Sequence, residues 1–162
     1  MTMPVSEKNF LERLASYVPG LSGYREREGR RETDRRLREF LAARLDEGRS
    51  GLNDARNRAT KDKDMTALEA IGRLDRTLQK AVAGLRYADH GYSGVFDQLK
   101  IGEAELGAIY AYDVALVAEV VALSDRVRSG GVSDWAEIEK AAAALELKVA
   151  RRREVLDKPT NV

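Results

Sequence analysis

Residues 41–59 read LAARLDEGRSGLNDARNRA, and the fold turns on whether one helix runs through the EGRSG at its middle. Leu41, Leu45, Gly48, Leu52, Ala55 and Ala59 are spaced alternately by four and three residues, which is a heptad seam held in one phase. Gly48 and Gly51 argue for a break, since each costs about 1 kcal/mol against Ala inside a helix. The unbroken phase across both glycines favours continuity and predicts a second helix from 24 to about 60. A break there would leave a shorter helix and a different register for everything that follows.

Working outward, Ser6 reads as an N-cap with Val5 and Phe10 at staple positions, so a first short helix over about 7–17 should stop at Pro19-Gly20. Thr66 and Glu69 form a capping-box signature for a third helix ending near Ala88, with Leu68, Ile71, Leu74, Leu78, Val82 and Leu85 on one face. A fourth helix is expected over 103–128, with Leu106, Ile109, Leu116, Val117, Val120 and Val127 inward. Asp134 and Glu137 can cap a fifth, whose seam Trp135, Ile138, Ala142, Leu145, Val149 and Leu156 has Arg152 filling one apolar place. The fold class is therefore all-α: an antiparallel up-down bundle of four long helices plus a short N-terminal one. Residues 1–158 form a single domain, and 159–162 a frayed tail beyond the fifth helix. A continuous second helix spans about 55 Å against about 35 to 40 Å for the other long helices, so it overhangs, with the excess at its N-terminal end.

That end carries RERE GRRETDRR at 25–36, with six arginines, four acids and no apolar side chain. The net charge of +1 conceals regional imbalance: residues 1–88 hold 19 bases and 14 acids, 89–146 hold 4 and 11. Interspersed acids, and spacings of four such as Glu32 to Arg36 and Arg30 to Asp34, favour pairing along the helix and with the acids of the 89–102 loop (Asp89, Asp97) and of the start of the fourth helix (Glu103, Glu105) over a nucleic-acid groove. The absence of cysteine excludes disulfides, thiolate metal sites and thiol nucleophiles. MTMPVSEKNF lacks the progression of a secretory signal, and the expectation is a cytoplasmic protein.

Catalytic signatures are weak. HGYSG at 90–94 has Val95 where a nucleophile elbow needs glycine, and no strand for it to follow. The residue three before His90, the only histidine, is Tyr87, so no Glu-x-x-His di-iron motif forms. No cofactor, metal or small-molecule substrate is inferred. Asp113 is the most pointed single residue, because it falls at the centre of the apolar stripe of the fourth helix and must be partnered if buried. The expected register places Arg44 beside it, as a structural pair or, on an enzymatic reading, as part of a proton or cation site.

The expected function is that of a non-enzymatic helical scaffold or protein–protein interaction module. Its contact surface is expected at the arginine-rich end: Arg25, Arg27, Arg30, Arg31, Arg35, Arg36, Arg151, Arg152 and Arg153, with Tyr92 and Phe96 of the long loop. An adaptor binding anionic membrane or nucleic acid through the same arginines is the rival. Self-association as a dimer is expected from small residues on the seams, Gly48, Ala55, Ala59 and Ala142.

Overall fold

Gly48 and Gly51 lie inside one uninterrupted helix. In the computed structural model, which describes residues 5–24, 29–88, 102–129 and 134–157, the elements are α1 (Val5–Tyr17), α2 (Gly29–Lys61), α3 (Met65–Arg86), α4 (Glu103–Arg128) and α5 (Trp135–Asp157). The described residues contain no strand, and the protein is an all-α bundle. All six seam positions of α2 are buried. The two glycines let α2 and α4 touch backbone to backbone: a Cβ on Gly48 would lie 3.1 Å from Ser124 Cα, and one on Gly51 only 2.9 Å from Arg128 Cα. The Ser124 hydroxyl completes the crossing by donating to the Arg44 carbonyl at 2.6 Å. Close packing thus offsets the cost of glycine in the helix.

Helix ends depart from expectation in instructive ways. After α2, Lys63 adopts φ 56°, and the amides of Asp64 and Lys63 donate to the carbonyls of Ala59 (2.9 Å) and Thr60 (3.2 Å), the paired bonds of a Schellman motif. Asp64 then serves immediately as N-cap of α3, accepting from the Ala67 amide at 3.0 Å. The cap is Asp64 rather than Thr66, because the tight turn delivers a carboxylate to the N-terminus two residues earlier. Asp134 caps α5 as expected, accepting from Glu137 N at 3.2 Å. α1 already includes Val5, so Ser6 is inside the helix and not its cap, and Tyr24, the expected start of α2, belongs to the connection.

Ion pairs and close contacts give the helix directions. Arg86 reaches Asp46 while Arg56 reaches Asp75, so α2 and α3 are antiparallel. Asp113 pairs with Arg152 and Arg126 with Glu137, so α4 and α5 are antiparallel too. These two hairpins stack side by side with α2 alongside α4 and α3 alongside α5, each of those neighbours running parallel. α1 packs chiefly on α4, with Leu14 fully buried and Tyr17 against Phe40 at 6.5 Å. The excess length of α2 does lie at its N-terminus: Arg38 meets the Leu85 carbonyl beside the end of α3, and the residues before it project past α3. They are not free of the protein, however, because the 18–24 connection and α5 close over them.

Candidate functional site

Where the α2 excess meets the last turns of α5, four charges line up in the interior. Arg38, Asp34, Arg152 and Asp113 are all at least 97% buried by residue exposure, at 3%, 2%, 2% and 1%. Arg152 presents its fork to Asp113, with Nε at 2.9 Å from Oδ1 and one terminal nitrogen at 3.3 Å from Oδ2. Its other terminal nitrogen reaches Asp34 Oδ1 at 2.5 Å. Asp34 Oδ2 in turn accepts from Arg38 Nε at 2.8 Å, and Arg38 donates onward to the Leu85 carbonyl at 2.8 Å, supplying a partner for one of the carbonyls left open in the last turn of α3. The signs alternate along the chain of contacts, so each charge faces one of opposite sign.

Tyr24 ties this row to the α1–α2 connection. Its hydroxyl donates to Asp113 Oδ2 at 2.7 Å and accepts from Arg152 at 2.8 Å. Its amide donates to the Tyr110 hydroxyl and its carbonyl accepts from Arg30 Nε, both at 2.7 Å. Gly23 beside it has φ 89°, and a Cβ there would sit 2.4 Å from the Tyr110 hydroxyl, so only glycine admits this approach. Burial, reinforced by the Asp113 carboxylate, raises the Tyr24 hydroxyl well above its usual pKa, and it stays protonated. Burial works against the Arg152 charge, but Asp113, Tyr24 and Asp34 outweigh it and raise the guanidinium well above its ordinary value.

Chemically this cluster is closed. Both Asp113 oxygens and both Asp34 oxygens accept from named groups, and no three metal-ligating side chains converge among the described residues. It binds helices to each other.

The expected pairing of Asp113 with Arg44 is not formed. Arg44 instead bonds Glu47 at 2.7 Å and Asp125 at 3.1 Å near the surface. Asp113 lies level with Asp34, ten residues up α2 from Arg44, a shift of about 15 Å. Arg30 and Arg152, expected on the contact surface, are withdrawn into the interior at 8% and 2% exposure, because each is held by Tyr24. Arg31, Arg35, Arg36 and Arg151 are exposed; Arg35 and Arg36 bond Glu32 at 2.9 and 2.6 Å, and Arg36 also caps the Pro19 and Gly20 carbonyls at 3.5 and 3.4 Å. Arg25, Arg27, Tyr92, Phe96, Asp89 and Asp97, and the side chains of Glu103 and Arg153, lie outside what the structure describes. The small residues Gly48, Ala55, Ala59 and Ala142 are buried within the bundle itself, so they leave no seam for another subunit.

Sequence reading missed Asp34 and Arg38 as core residues, although Arg152 in the apolar seam of the fifth helix was a visible sign that a carboxylate would face it. It also passed over the outer side of α4. Ala115, Ala118 and Ala122 are exposed there. α4 is long and apolar enough to cross a membrane by length and composition, and half of that stretch is buried in the bundle. Beside it, α4 and α5 make the sparsest pairing in the ring and leave a groove of about 230 Å³ whose lining includes Ala122, Leu123, Ala141, Ala144 and Leu145. No protein-family model, no curated protein and no solved structure matches this chain.

Proposed function

We propose that the protein acts by contact and not by catalysis, as a helical interaction module whose binding face is the outer side of α4 and α5. The observation that carries this is α4: a helix apolar around most of its circumference normally belongs where both sides are covered, yet its Ala115–Ala118–Ala122 side is open to solvent. The closed state of the ionic row is consistent with this reading, since its charged atoms serve helix packing and present no reactive group. The arginine-rich end, the earlier candidate surface, contributes less on this account, because Arg30, Arg35, Arg36 and Arg152 all have structural duties.

A photoreactive residue at Ala118, compared with one at Gln79 on the exposed side of α3, tests it in the cells that make the protein. Discrete protein adducts from position 118 and none from 79 are expected. Equal labelling from both positions, or none from 118, overturns the reading.

A further inference from the structure

The α4/α5 face has a charge pattern that selects its occupant. Glu119 on α4 pairs with Lys148 on α5, and about two turns away along α4 and three along α5 Arg126 pairs with Glu137 at 3.4 Å. The two levels are opposite in sense: acid on α4 and base on α5 at one, base on α4 and acid on α5 at the other. All four side chains are substantially exposed, at 40%, 45%, 49% and 62%. Between these levels lie the alanines of the groove, with Leu123 and Leu145 beneath and Leu147 54% exposed alongside.

We propose that this face docks a second copy of the same chain, related by a two-fold axis parallel to the helices. Such an axis preserves helix direction, so α4 of one copy lies against α5 of the other, antiparallel and at the same level. Glu119 then faces the partner's Lys148, and Arg126 faces the partner's Glu137. Around each level the four charges alternate in sign, and no like charges are neighbours. The sparse α4/α5 pair becomes half of an antiparallel four-helix arrangement, and its alanines permit the short interhelical distance this requires. The interface is isologous and closes on itself, as a dimer must.

Size is consistent with a stable pair. Helices of about 35 Å in a hairpin about 20 Å wide present roughly 700 Å² of projected face, close to the ~800 Å² per partner of a standard interface. At these two levels acids and bases are equal in number, so the paired charges themselves offer no excess of bases to a nucleic acid or anionic bilayer.

The inference rests on the contact-based reading above but fails separately from it. Light scattering on the full chain should show a dimer at micromolar concentration. Glu119→Lys alone places four bases at one level and should weaken the dimer at least about tenfold, and Lys148→Glu alone does the same with four acids. Mixed in equal amounts, the two variants should form a heterodimer, because both contacts between copies become Lys opposite Glu while the like-charged pairs within each copy remain. Restoration therefore cannot come from repairing either monomer. A wild-type protein that stays monomeric to hundreds of micromolar (about the upper end of useful concentrations), single variants that dimerise like wild type, or a mixture that does not pair would each overturn it. If position 118 labels a different protein and the chain is monomeric, the face is an interaction surface and the second copy is not its occupant.

Discussion

Arg152 keeps its charge in the interior because four bonds to Asp113, Asp34 and Tyr24 replace the water it loses. Removing one member of such a group leaves an uncompensated charge, so Arg152→Met is expected to cost about 3–5 kcal/mol in urea unfolding, and Asp113→Ala a similar amount. Removing both members of that pair, as Asp113→Ala with Arg152→Met, leaves the Asp34–Arg38 pair and should cost less than the sum of the singles. An additive double variant would show that the two side chains do not act as a unit. Arg44→Leu should not rescue Asp113→Ala, since Arg44 bonds elsewhere. Tyr24 adds a pH dependence. Its folded pKa is raised, so its contribution is complete below the unfolded tyrosine value of about 10 and declines as pH rises through the folded value. The urea midpoint of the wild type should therefore fall more steeply above pH ~10 than that of Tyr24→Phe; identical slopes would place the hydroxyl in water.

At the scale of elements, glycines separate into those that hold helices together and those that do not. A Cβ at Gly107 meets nothing within 4 Å, whereas one at Gly51 would press on the Arg128 backbone and lie 3.0 Å from the Val127 carbonyl. Gly107→Ala should stabilise by about 0.5–1 kcal/mol through helix propensity and a less flexible unfolded chain. Gly51→Ala makes the same gain in propensity but must push α2 from α4, and a net loss of about 1–3 kcal/mol is expected. Thermal or urea unfolding of the two variants side by side decides it, and equal effects would show that the α2–α4 crossing is looser than the geometry indicates.

For the whole molecule, the unequal attachment of helices sets the order of opening. α1 packs chiefly on α4, while each long helix packs on two others, and the ionic row with Tyr24 joins α2, α3, α4, α5 and the connection after α1 at one place. Native-state amide exchange should show α1 opening at a lower free energy than the cores of α2 to α5, which should exchange together. Tyr24→Phe should speed exchange in α1 more than in α3. Equal protection of α1 and α3 in the wild type would mean that α1 is an integral part of the bundle.

Periodicity alone determined the five helices, the continuity of α2 through Gly48 and Gly51, and the burial of Asp113, because each depends on neighbours within one or two turns of the same helix. Phase along a helix is a local property, and the sequence carries it. Which levels of different helices meet is not local. Asp113 faces Arg152 and Asp34 and not Arg44 because the α2–α4 crossing, set by the close approach at Gly48 and Gly51, slides one helix about three turns relative to the expected register. The same tertiary arrangement drew Arg30 and Arg152 from the surface into the interior and enclosed the small seam residues. It left Ala115, Ala118 and Ala122 outside. Their exposure follows from which neighbours α4 has, and a helix apolar on nearly every side holds no record in its own sequence of which side those neighbours cover.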